Sequence, residues 1–352
     1  MKIATGTVLP TNNDNRRQGV EPTKISLVIP VRNESSSVGE LVSTIRQQTR
    51  LPDEVLLVDG GSTDDTVQRI RNCDWGQVKF VVIEAGPATP GRGRNIGIAH
   101  AANDWIALTD AGIRLQSNWL EQLTAAAESN PDADVVYGSY EPTISSFFER
   151  CAALAYVAPR QIRNGLPMRG PSTASMMIRK NAWESVGGFP DLRAAEDLIF
   201  FERLTEQNHK VAWAPEAIVH WQLQPSIRST YRKFKVYSKH NAWAGRQKDW
   251  HHGIVKIWLV LATLLCLSIG HSAWWWVPFL LMFWARVIRR ILKHLEQYGW
   301  GSLLNPLVIL GVAAVTLTID LATFVGWIQA AVSKDPQGSL PAPQTAVTHV
   351  TS

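Results

Sequence analysis

Five carboxylates stand where chemistry can use them. Glu34 closes "VIPVRNE", Asp59 opens "DGGSTDDT", Asp110 ends the apolar run "DWIALTD", and Glu196 and Asp197 are adjacent in "GGFPDLRAAEDLIFFERL". Carboxylates accept hydrogen bonds from base N–H groups and ribose hydroxyls, ligate hard cations, or take a proton from a hydroxyl. In an adjacent pair each charge also raises its neighbour's pKa toward a value useful in a base. Between these acids lies "GPATPGRGRNIGIA". Gly91, Gly93 and Gly97 are spaced G-x-G-x-x-x-G and do not follow the first strand, which excludes a dinucleotide fingerprint. Arg92 and Arg94 at a helix start instead suit a diphosphate. Each feature also has a plain reading: Ser62-Thr63-Asp64 is a good helix N-cap, an Asp after a strand serves a turn, and acids at a helix start complement its dipole.

Short β-branched runs, "ISLVIPV", "EVLLVDG", "VKFVVIE", "DWIALTD" and "ADVVYGS", alternate with amphipathic stretches such as "SSVGELVSTIRQQT" and "NWLEQLTAAAES". Continuous apolar strands between helices predict an α/β fold with a mostly parallel sheet covered on both faces. Ligands of such sheets bind at the carboxyl ends of the strands. Glu34, Asp59 and Asp110 should therefore converge on one edge.

The 352 residues are 45% hydrophobic and only 18% charged, with net charge +5. That is no nucleic-acid-style basic surface, and no nucleic-acid partner is expected. Cys73, Cys151 and Cys266 are far apart and fit neither a disulfide framework nor a zinc site. Residues 1–24 read as a polar, disordered arm without a signal-peptide core, and residues 333–352 as a disordered tail. A globular domain is expected over residues 25–225 and a basic interfacial segment over residues 226–252. Residues 253–292 read as a transmembrane helical hairpin broken at Gly270-His271-Ser272, with Trp274, Trp275 and Trp276 as its interfacial belt. A third transmembrane or interfacial segment spans residues 302–332. It either ends before Asp320 or runs through it with that carboxylate facing other helices. Basic residues on both flanks of the hairpin place the preceding domain in the cytosol, in a multi-pass protein of the inner or plasma membrane.

From about Ile25 to Gly245 the chain resembles the family 2 inverting glycosyltransferases of GT-A fold, first through the pair "VIPVRNE" and "LLVDGGSTDDT". The resemblance implies that these motifs, with Pro30, Arg32, Glu34, Asp59 and Ser62, hold the base and ribose of a nucleotide-sugar donor. It implies that Arg94 and Asn95, with Arg92 beside them, open a helix next to that donor. "TDAG" occupies the place of the family's Asp-x-Asp: Asp110 matches its first acid, while Ala111 and Gly112 depart from it. A divalent cation, Mg²⁺ or Mn²⁺, would then be held by Asp110, with His220 as a further ligand, and Gly112→Asp would be tolerated. Asp197 corresponds to the general base and Glu196 to its neighbour. The Gln-x-x-Arg-Trp segment of processive synthases has no match, so transfer of a single sugar is expected, with Arg228 or Arg232 reaching the leaving diphosphate. A lipid-linked acceptor is the natural partner of a bilayer-attached enzyme; a soluble or protein acceptor, and a catalytically degenerate donor-binding scaffold, are the alternatives.

Overall fold

The computed structural model describes residues 23–301 and 305–333. Its strands, in chain order, are β1 (Ile25–Val31), β2 (Glu54–Asp59), β3 (Phe80–Glu84), β4 (Trp105–Leu108), β5 (Ile113–Leu115), β6 (Val135–Thr143), β7 (Gln161–Arg163), β8 (Leu166–Met168), β9 (Met176–Arg179) and β10 (Val211–Gln222). Eight of them form one sheet in the order β3-β2-β1-β4-β9-β6-β10-β5, and β7 and β8 make a separate hairpin. The pairings β3/β2, β2/β1, β1/β4 and β6/β10 are parallel. β9 enters antiparallel between β4 and β6, and β5 runs antiparallel along β10.

The unbroken apolar character of the strands has a simple cause, since both faces of the sheet are covered. Along β1 and β2, Leu27, Ile29, Val55 and Leu57 pack with Leu41, Ile45, Leu120 and Leu123 on one face. Val28 and Leu56 point the other way, toward Ile98, Phe200 and Leu204, as the two-residue period of a strand requires.

Beyond the sheet, helix Ile227–Trp243 crosses to the C-terminal helices. His252–Gly270 and Trp276–Leu292 are joined through the short turn Ala273–Trp275, and Pro306–Val332 is one continuous helix. Two of these, His252–Gly270 and Pro306–Val332, are long and apolar enough to cross a membrane. Of the two expectations for Asp320, the continuous helix is the one observed. Its carboxylate is 1% exposed, and it accepts hydrogen bonds from Arg286 Nη2 at 2.7 Å and Trp258 Nε1 at 2.9 Å. A buried charge thus meets its partner across helices, as the burial of an ion demands.

The last helix has a second contact face. Val312, Thr316, Ala322 and Thr323 are buried, whereas Leu310, Leu321 and Ile328 are exposed. The buried side lies on helices Ile227–Trp243 and Phe147–Tyr156. Ser238 Oγ donates to Thr323 O at 2.6 Å, and a Cβ at Gly326 would come within 2.4 Å of Lys235 O. Only glycine allows that approach.

Candidate active site

A cleft of about 1280 Å³ opens at the carboxyl ends of β1 and β4. Its lining includes Pro30, Arg32, Glu34, Arg94, Asp110, Glu196 and Asp197 together with Tyr140, Tyr156, Trp221, Arg232, Lys233 and Tyr237. Arg232, Lys233 and Tyr237 come from helix Ile227–Trp243, so the cleft extends past residue 225 into the segment expected to lie on the bilayer.

Arg94 joins three elements. It sits in helix Pro90–His100, whose N-cap Thr89 accepts from Arg92 N, and its side chain is 3% exposed. Nη2 meets Asp110 Oδ1 at 2.5 Å and Nη1 meets Glu196 Oε1 at 3.0 Å, and the guanidinium lies over the Phe189 ring at 5.4 Å. Burial works against its charge, but the facing carboxylates outweigh burial and hold it well above the ordinary arginine value. One fixed cation therefore locks the end of β4 to the start of helix Glu196–Glu206.

That helix begins in an unusual way. Ala195 has φ +70°, a left-handed conformation that costs a non-glycine residue about 1–2 kcal/mol, and it turns Glu196 and Asp197 into the cleft wall. Glu196 faces Arg94 and is buried, whereas Asp197 is more open. Its Oδ1 accepts from Leu198 N at 2.8 Å. Burial is the main cause that lifts both carboxyls above the usual range, with Arg94 pulling them back down. Glu196 gains a further rise from Asp197, and Asp197 from Asp110. A desolvated carboxylate beside a buried cation is a stronger base than one in water and still ionises. Opposite, burial pushes the Tyr237 hydroxyl up, and the negative charges of Asp197, Glu196 and Asp110 push it further.

Lys233 is a residue that the motifs did not indicate. Burial alone pushes its ammonium down to about 8. It lies 4.6 Å from the Trp221 ring centroid and 5.5 Å from that of Tyr237. With Arg232, and with Arg193 on the facing loop, it makes the cleft's cationic side. The helical period of "IRSTYRKFKVYSKHNAW" was the available signal: Thr230, Phe234 and Ser238 are buried, and Lys233 and Tyr237 share the neighbouring stripe.

Several expected ligands lie elsewhere. Asp59 is 5% exposed, and its carboxylate accepts from Gly61 N, Ser62 N and Ser62 Oγ, so it folds its own turn; neither Asp59 nor Ser62 lines the cleft. Asn95 Nδ2 donates to Phe189 O at 2.7 Å while its Oδ1 accepts from Phe189 N and Trp183 Nε1, which clamps the Gly187-Gly188 turn. Arg92 and Arg228 are exposed and outside the cleft, where Arg232 takes the place foreseen for Arg228. His220 is also absent from the cleft lining, although the adjacent Trp221 belongs to it. Burial and then the nearby Arg114 cation depress the His220 pKa. Among the described residues no group of three or more His, Cys, Asp or Glu is arranged to hold a metal ion. Gly112 has φ +77°, and a Cβ there would lie 3.4 Å from Glu34 Oε2. A carboxylate side chain at that position meets backbone strain and like charge, which overturns the expectation of tolerance.

With this geometry in hand, known proteins become informative. Residues 26–185 match the family described as glycosyl transferase family 2. The protein is a glycosyltransferase. Over 232 residues the chain is 24% identical to the O-antigen chain rhamnosyltransferase RfbN of Salmonella typhimurium, covering 60% of this chain and 70% of that protein. Over 231 residues it is 29% identical to the pre-mycofactocin glycosyltransferase of Mycobacterium tuberculosis, covering 60% of this chain but only 46% of that one. The chain thus spans less than half the length of the second relative. The crystal structure of S. aureus TarS 1-349 aligns with 86% of this chain and 90% of its own at 16% identity, with a TM-score of 0.45. The matched stretch ends near the close of helix Lys180–Ser185, and the cleft takes Asp197, Lys233 and Tyr237 from residues beyond it.

Proposed function

We propose that the protein is a membrane-anchored, inverting glycosyltransferase that moves a single sugar from a cytosolic nucleotide-sugar donor to a lipid-linked acceptor at the membrane face. The observation that carries the reading is Asp197. It is the open member of a carboxylate pair whose partner Glu196 is fixed by Arg94, in the cleft that Lys233 and Tyr237 also line.

Pro30, Arg32 and Glu34, at the end of β1, receive the nucleotide. Lys233 and Arg232 offset the charge that develops on the departing diphosphate, a role preorganised cations fill well when stripped of water. Asp197 accepts the proton of the acceptor hydroxyl as its oxygen bonds to the anomeric carbon, while the bond from that carbon to the diphosphate breaks on the opposite face. A divalent cation, when bound, would add charge neutralisation at the phosphates. Asp110 fits such an ion as a single protein ligand, because Oδ1 is engaged by Arg94 and only Oδ2 remains. Weak affinity is the consequence.

Membrane attachment is supported by the exposed apolar residues of the hairpin and last helix, among them Leu259, Ile269, Trp274, Leu281, Leu321 and Ile328. A cell-envelope polysaccharide precursor as acceptor is supported by the relative that builds an O-antigen chain. The test is transfer by purified full-length protein in detergent with a panel of labelled sugar nucleotides and extracted lipids, with and without EDTA. Asp197→Asn should lose transfer at least tenfold, since general bases contribute about 10²–10⁴-fold, with nucleoside diphosphate affinity unchanged. Retention of more than about a tenth of activity removes Asp197 from the role. Full activity in excess EDTA removes the cation.

A further inference from the structure

A second cavity, of about 450 Å³, lies where the hairpin meets helix Phe147–Tyr156. Arg286, Arg289, Arg290 and Lys293 recur at intervals of three and four along the end of Trp276–Leu292 and just beyond it, so they share one helix face, and all four line this cavity. The lining also includes the apolar residues Leu154, Ala155, Ile254 and Ile257.

The charges are unequally occupied. Arg286 is spent on Asp320, and Arg290 donates to Ala155 O. Arg289 and Lys293 are exposed and form no ion pair among the described residues. The one acid in the lining, Asp249, lies 3.6 Å from Arg246. A further donor is idle: Trp250 Nε1 is buried with no hydrogen-bond partner. Trp250 and Tyr156 line both this cavity and the large cleft, so the two spaces share a wall. Cations and an unpaired N–H over an apolar floor, at the base of a hairpin suited to lipid, match the chemistry of a phosphate or diphosphate carried on a hydrocarbon chain.

We propose that this cavity holds the phosphate or diphosphate headgroup of the lipid acceptor, whose sugar end passes the Tyr156–Trp250 wall to reach Asp197. The proposal rests on the lipid-linked acceptor reading above and assigns the anionic part of that acceptor to named residues. Arg289 and Lys293 bind its charge, Trp250 donates to a phosphate oxygen, and the apolar floor receives the first carbons of the chain.

The test uses full-length protein in neutral detergent with farnesyl diphosphate as the probe, followed by tryptophan fluorescence. Wild type should bind it, and the double variant Arg289→Gln/Lys293→Gln should bind at least about tenfold more weakly, as expected for charge-assisted hydrogen bonds lost. Trp250→Phe, which keeps a ring and removes the donor, should weaken binding by about threefold or more. Nucleoside diphosphate affinity should be unchanged in the double variant, which certifies the fold. Equal binding of farnesol, no effect of the double variant, or equal competition by inorganic diphosphate or by phosphatidylglycerol vesicles would each overturn the assignment. Transfer to a neutral glycolipid without farnesyl diphosphate binding sinks the cavity alone. Equally efficient transfer to a lipid-free acceptor sinks the lipid-linked reading itself.

Discussion

Replacing Arg94 by Met removes a charge at nearly constant volume and leaves Glu196, Asp197 and Asp110 facing one another without their cation. Breaking a buried ion pair by deleting one partner costs about 3–5 kcal/mol. The Glu196 side chain is 9% exposed and feels the loss in full, whereas Asp110 is 36% exposed and is partly screened by water, so the low end, about 3 kcal/mol, is the better figure. At about 2–4 °C per kcal/mol for a domain of this size, the melting temperature should fall by about 6–12 °C. The pH dependence has a definite sign. Glu196 and Asp197 already sit above their ordinary values, so the folded state holds protons that the unfolded chain releases. Stability therefore declines as pH rises from the unfolded pKa to the folded one. Loss of Arg94 raises the folded values again and widens that window, so the defect should be smaller at about pH 5 than at about pH 8. In activity, the base must be ionised, and the rising limb of kcat/KM against pH should move up by about 1–3 units. Thermal melts across pH, a kinetic pH profile and the cycle with Glu196→Gln, which should recover part of the loss, measure all of this. Melting within about 2 °C of wild type with an unmoved limb would refute the role given to Arg94.

Lys233 carries charge below about 8 and loses it above, so transfer should fall as pH passes that value; Lys233→Arg should extend the plateau to higher pH, and an unshifted basic limb would remove Lys233 from the leaving-group side. Asp59→Ala should cost about 1–3 kcal/mol of stability through the unmade bonds of its turn, visible in thermal melts. A large loss of donor affinity by calorimetry at unchanged melting would instead restore Asp59 to direct contact. Gly326→Leu forces the last helix off Lys235 O and should lower stability by about 1–3 kcal/mol while raising the donor KM, because the cleft wall moves with its support; an unchanged KM at lowered stability would uncouple the two.

The sequence foretold which element ends would meet, and much less about which side chains would be free there. Strand period and motif order bring Pro30, Arg32, Glu34, Asp110 and Asp197 to one cleft. Asn95 illustrates the limit: its partner Phe189 lies 94 residues away, and no local pattern says that its amide is already used. Asp59 is consumed locally by its own turn, an outcome open to any Asp followed by Gly-Gly-Ser. β9 escaped notice because Met176–Arg179 is too short to show a period, and it pairs antiparallel inside a parallel sheet. Lys233 was hidden by its neighbours, since a run rich in Arg and Lys resembles a solvated or lipid-facing surface until packing shows one member turned inward.

Under the membrane-anchored function proposed above, the contact at Gly326 would couple the bilayer to the cleft. Helix Pro306–Val332 presents Leu310, Leu321 and Ile328 outward and grips the Lys235–Ser238 turn inward. A change in hydrocarbon thickness tilts or shifts an apolar membrane helix of 27 residues, and the close crossing at Gly326 would pass that displacement to the helix bearing Lys233 and Tyr237. The protein's rate should accordingly vary with lipid chain length at constant substrate concentration, as though the membrane set the spacing of the cleft.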